Sequence, residues 1–135
     1  MDSWESLLTT LTRLKESWPG TAWTWDPRFA TIASSFSVND ESRARTSAMH
    51  AFPRGWTVKS LESAPALMQS VAARTGGLRA SQRLLAGDEV AAERLFGLWW
   101  MWGDGTTVTL RIGIAGLGAD DDPLPRLRAL FAVTP

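Results

Sequence analysis

His50 is the only histidine in this 135-residue chain, and Asp120-Asp121-Asp122 is its densest run of carboxylates. An imidazole suits general-base work near neutral pH, and a carboxylate cluster suits a hard cation. A base also needs an activated group or an orienting partner within hydrogen-bond reach. With no cysteine and no G-x-S-x-G element, nothing here nominates a nucleophile. His50 stands among Ser47, Ala48 and Ala51 in a stretch read as a strand, where a hydrogen-bonded structural role is expected. The aspartate run lacks the alternating ligand spacing and closing bidentate Glu of a calcium loop. Its place before Pro123 suits an N-cap and a dipole-favourable first helical turn. Gly113-Ile114-Ala115-Gly116-Leu117-Gly118 is neither a dinucleotide fingerprint nor a P-loop. The expectation is a protein that is not an enzyme, with no catalytic residue, no metal site and no cofactor.

Composition narrows the classes further. The absence of cysteine excludes a disulfide scaffold, thiolate metal sites and iron–sulfur clusters. Fourteen basic and fourteen acidic residues cancel, so bulk charge points neither to nucleic acid nor to an anionic membrane. The longest apolar run, Leu95 to Trp102, falls far short of the roughly 20 residues a spanning helix needs. Met1-Asp2-Ser3-Trp4-Glu5 has no basic start followed by an apolar stretch, so no secretory leader is read there. A cytoplasmic protein with no membrane partner is expected.

Eight Trp with no Tyr, and twelve Arg against two Lys, are the unusual features. They meet at residues 93–115, where apolar Leu95 to Trp102 and alternating Thr107 to Ile114 flank Gly103-Asp104-Gly105-Thr106. Asp-Gly favours a tight hairpin turn. A two-residue type I′ turn at Asp104-Gly105 would pair residues whose numbers sum to 209. One face then carries Leu95, Gly97, Trp99 and Met101 opposite Ile114, Ile112, Leu110 and Val108, and must be core. The other carries a column of Phe96, Leu98, Trp100 and Trp102 beside Thr107, Thr109, Arg111 and Gly113. Three readings stay open. The protein's own helices cover the column, or it is exposed and binds a protein partner or a second copy, or its indoles line a small-ligand pocket. Trp and Arg dominate binding hot spots, and Arg111 can stack on Trp100 or Trp102. The candidate partner-binding residues are therefore Phe96, Leu98, Trp100, Trp102 and Arg111.

The elements that position them follow from periodicity. Residues 3–18 show Trp4, Leu7, Leu8, Leu11, Leu14 and Trp18 on one helical stripe, stopped by Pro19-Gly20. Residues 23–25 suit a short strand. Phe29 to Val38 reads as a second strand, although Asp26-Pro27 would also begin a helix. Thr46 to Phe52 and Trp56 to Lys59 read as further strands. Ser63 is placed to cap a helix over 64–74 that ends at Thr75-Gly76-Gly77. Residues 78–86 read as a strand, 87–92 as a polar loop and 123–133 as a final helix. The expected fold is a single α+β domain, 1–135, with an antiparallel sheet of five or six strands and three helices.

Charge is uneven along the chain. Residues 43–83 hold seven cations against Glu62 alone, and residues 84–122 hold seven carboxylates against Arg94 and Arg111. The leading expectation is a non-catalytic protein-interaction module: an adaptor, chaperone-like or immunity-type small protein. The alternative is an anion- or nucleic-acid-binding domain built on the Arg-rich segment 43–83, although nucleic acid is not the expected partner.

Overall fold

Leu7, Leu11 and Leu14 repeat at helical spacing and are all buried in the computed structural model, which describes residues 3–87, 94–115 and 124–133. They line one side of a helix over Ser3–Ser17 (α1), which ends before Pro19 as the missing amide of proline requires. Three-residue and seven-residue strands follow, Thr24–Asp26 (β1) and Thr31–Ser37 (β2). In β2 the alternation of Ile32, Ser34 and Phe36 sends one set of side chains to the core. Strands Arg54–Trp56 (β3), Gln82–Ala86 (β4), Arg94–Met101 (β5) and Thr107–Ala115 (β6) complete one antiparallel sheet in the order β1-β2-β6-β5-β4-β3. The architecture is α+β with six strands, as expected.

Helices lie on both faces of the sheet. On one face, α1, a helix over Glu41–Ala48 (α2) and a helix over Leu124–Leu130 (α4) cover Ile32, Leu95, Trp99, Val108, Leu110 and Ile112. An aromatic chain runs through this layer. Trp99 packs on Phe36 at 5.0 Å between ring centroids, Phe36 on Trp18 at 5.3 Å, Trp18 on Trp23 at 5.3 Å and Trp23 on Phe131 at 4.7 Å. The Trp18 indole N–H donates to Ser34 Oγ at 2.8 Å, so the donor of a half-buried ring is satisfied. Trp99 is thus buried in this core, with Trp18, Trp23 and Trp25 partly buried against it. On the opposite face a helix over Ala66–Arg74 (α3) lays Met68, Val71 and Ala72 on Leu84, Ala86, Phe96 and Leu98.

Four helices stand among the described residues where three were expected, because Thr46–Phe52 is not a strand. The segment belongs to α2 and the turn after it. Ala44, Ser47 and Ala48 recur at three- and four-residue spacing and are all buried, a helical stripe made of small side chains. Small residues let α2 approach α1 closely enough for Ser47 Oγ to donate to the Leu14 carbonyl at 2.8 Å. The strand expected at Trp56–Lys59 accordingly lies earlier, at Arg54–Trp56. Ser63 does not cap α3. Its hydroxyl donates to the Ser60 carbonyl at 2.7 Å, and Pro65 occupies the N-cap position.

The β5–β6 register sums to 209 throughout, from Arg94↔Ala115 to Met101↔Val108, with the Trp102 N–H donating to the Thr107 carbonyl at 2.8 Å. The turn itself differs from the expected type. Its loop has four residues, Gly103 to Thr106, and of these only Gly105 has positive φ, +70°. A type I′ turn would need positive φ at Asp104 as well. The Asp104 carboxylate takes over the loop instead, accepting from the Thr106 N–H at 2.8 Å, the Thr107 N–H at 3.0 Å and the Thr107 hydroxyl at 3.0 Å. These bonds hold its carboxyl below the usual value, the Thr106 N–H most of all. The loop is tied to the residue just after β2 by the Val38 N–H, which donates to the Thr106 carbonyl at 2.9 Å.

Candidate functional site

The column of apolar residues on β5 is half covered. Phe96 and Leu98 are each 1% exposed beneath α3, and the Arg74 guanidinium lies 5.5 Å from the Phe96 ring. They are core, which corrects their expected place on a partner-binding surface. The nine residues of α3 reach no further along the column. Trp100 is half-buried, and Trp102 is 53% exposed.

Three elements build the open half. Each aligned pair on adjacent antiparallel strands shares a face, so Trp100, Thr109 and Ser35 form one row, and Leu98, Arg111 and Ala33 the next. The Trp102 indole N–H donates to Thr109 Oγ1 at 2.7 Å, and the Thr109 and Ser35 hydroxyls are 2.8 Å apart. Two hydrogen bonds in series therefore hold an exposed indole in one orientation on the sheet. Beside it, a shallow depression of about 320 Å³ is lined by Thr24, Asp26, Ser35, Trp102, Thr109 and Arg111 among others.

Arg111 organises this region. Its Nε donates to Asp26 Oδ2 at 3.0 Å, with both side chains 17% exposed, and its guanidinium lies 4.9 Å from the Trp100 ring. The stacking expected of Arg111 is thus found with Trp100. Phe29, from the turn between β1 and β2, meets Trp100 edge-on at 5.5 Å, while Arg28 stacks on Phe29 at 4.2 Å. Asp26 also accepts from the Arg28 N–H at 3.0 Å. Burial pushes the Asp26 carboxyl up, but the Arg111 hydrogen bond, the Arg28 N–H and the two guanidinium charges outweigh it. The group is held below its ordinary value. The Trp100 indole N–H is buried with no hydrogen-bond partner among the described residues.

The other sequence candidates disperse. His50 lies in the turn after α2 rather than in a strand, and is exposed. It lines a cavity of about 270 Å³ with Ser6 and Thr10, but no side-chain hydrogen bond reaches its imidazole among the described residues, and the Thr10 hydroxyl donates to the Leu7 carbonyl instead. Asp120 to Asp122, Gly116 to Gly118 and most of the 87–92 loop lie outside the described residues. The Arg-rich segment does not form one face. Arg74 sits on the α3 side over Phe96, Arg43 pairs with Asp40 at 3.7 Å, and Arg45, Arg54 and Arg83 gather at a cleft beside α2.

Asp26 and Phe29 were missed as site residues because Asp26-Pro27 looks equally like a helix start. The usable signal was a turn-forming Asp-Pro pair between two short β-rich runs. Among the described residues no group of three or more His, Asp or Glu could hold a metal ion, and no helix is long and apolar enough to cross a membrane. Compared with known proteins, the chain matches no family model, no curated protein and no solved structure.

Proposed function

We propose that the chain is a non-catalytic protein-interaction module, an adaptor, chaperone-like or immunity-type small protein, acting through the open half of its tryptophan-bearing sheet face. The partner is a protein, either a different chain or a second copy. The observation that carries this reading is Trp102, an indole 53% exposed yet fixed by the Trp102–Thr109–Ser35 hydrogen-bond series. A large aromatic already locked in place loses little side-chain entropy on binding, which is what makes such residues hot spots. The Arg111–Asp26 pair and the Arg111–Trp100 stack lie beside it on the same sheet face. The exposed Thr24 and half-buried Ser35 that line the adjoining depression supply a polar surround.

The test is quantitative. Self-association is followed by sedimentation velocity, and affinity for any protein co-purified from the source cell is titrated, for the native chain, Trp102→Ser and Met49→Ser. Met49 is 68% exposed and lines the cleft beside α2. Trp102→Ser is expected to weaken association by about 2 kcal/mol or more, roughly thirtyfold, and Met49→Ser to leave it unchanged. Equal affinity in all three would overturn the assignment.

A further inference from the structure

A cleft of about 310 Å³ opens on the α2 side of the sheet, away from the Trp102 face. Its origin lies in one cross-strand row. Gly55 on β3, Leu85 on β4 and Gly97 on β5 are aligned partners, so three positions share a single side chain. The Phe52 ring takes the room over Gly97, where a Cβ would stand 3.3 Å from Phe52 Cζ. Leu85 leans towards Gly55, where a Cβ would stand 3.0 Å from Leu85 Cδ2. The floor is therefore apolar, formed by Phe52, Leu85 and Trp99. The rim is cationic. Arg45 comes from α2 and Arg83 from β4, where it shares the face of its aligned partner Trp99, and both are exposed.

Among the described residues no carboxylate lines the cleft, and neither the Arg45 nor the Arg83 guanidinium has an ion-pair partner. The carbonyls of Arg45, Ser47 and Ala48 at the end of α2 accept from Met49, His50, Ala51 and Phe52 N–H groups, so they do not face an incoming anion unpaired. Guanidinium groups match carboxylate and phosphate oxygens in geometry. The volume sits at the lower end of the roughly 300–1,000 Å³ of small-molecule sites. We infer that this cleft binds a small organic anion, one carboxylate or phosphate group carried on a flat apolar body, with the arginines on the head group and Leu85 and Trp99 under the body.

Isothermal titration of the full chain with naphthoate, naphthyl phosphate, naphthalenemethanol and inorganic phosphate tests this. At least one aryl anion is expected to bind, and the tighter of the two identifies the head group. The neutral alcohol and inorganic phosphate should each bind about tenfold more weakly or worse. Arg45→Gln and Arg83→Gln, both at exposed positions, should each weaken the aryl anion about fivefold or more, and Arg13→Gln on α1 should not. No binding of either aryl anion, equal binding of the alcohol or of inorganic phosphate, or unchanged affinity in both arginine variants would overturn it. These outcomes are independent of Trp102, which lies on the other face.

Discussion

Arg111 and Asp26, 85 residues apart in the chain, are joined by one hydrogen bond from Nε to Oδ2 at 3.0 Å. The pair ties β6 to the outer strand β1 across β2, while the same guanidinium stacks on Trp100. Asp26→Asn removes the charge and is expected to cost about 1–2 kcal/mol at neutral pH, measured by urea unfolding. The pH dependence has a definite sign. The folded-state carboxyl lies below the ordinary 3.8, so its contribution is whole well above that pH and is lost as pH falls through 3.8 towards the depressed value. Stability of the native chain should fall more steeply on that acid limb than stability of Asp26→Asn. Parallel limbs would show that the pair contributes nothing.

Gly105 holds φ +70° in the β5–β6 loop. A β-branched residue there is strained, and Gly105→Val is expected to destabilise by roughly 1–3 kcal/mol in thermal or urea unfolding. Asp104→Asn keeps one oxygen for the Thr106 and Thr107 N–H groups but loses the acceptor for the Thr107 hydroxyl. It should be milder than Gly105→Val. The reverse order would mean that the carboxylate, and not the left-handed glycine, holds the loop.

The register of this hairpin was legible although its turn type was not. A two-residue loop and a four-residue loop centred on the same point pair the same residues. The 209 sum, read from a turn centred on Asp104-Gly105, therefore survives the change of turn type. The division of the column into a covered and an open half was not legible, because it depends on where the short α3 lands on the sheet. Nor was the Asp26–Arg111 pair, a contact between strands far apart in the chain. α2 escaped detection because its buried stripe is Ala44, Ser47 and Ala48, which periodicity in large apolar residues does not register.

That small-residue stripe carries its own test. Ala44 is 0% exposed on the α2 face that meets the core. Ala44→Leu should overpack the layer and cost roughly 1–3 kcal/mol, whereas Ala44→Gly should cost about 1 kcal/mol through helix propensity and lost contact. A stabilised Ala44→Leu would show that the two helices are not closely packed there.

Ala30 closes the turn that carries Phe29 onto Trp100, and its φ is +53°. An L-residue pays in this region what glycine does not. Ala30→Gly is expected to raise stability by roughly 0.5–1 kcal/mol despite the added freedom of the unfolded chain. A loss of that size in thermal unfolding would contradict the left-handed conformation.

The proposed interaction face is tested most directly by site-specific photo-crosslinking in the source cell. A benzophenone-bearing residue replaces Thr24, which lines the depression beside Trp102, in one variant and Met49 in another, both positions being exposed, on opposite sides of the sheet. A discrete protein adduct at position 24 that is absent at position 49 is the expected result. No adduct at 24, or the same adducts at both positions, would contradict the account.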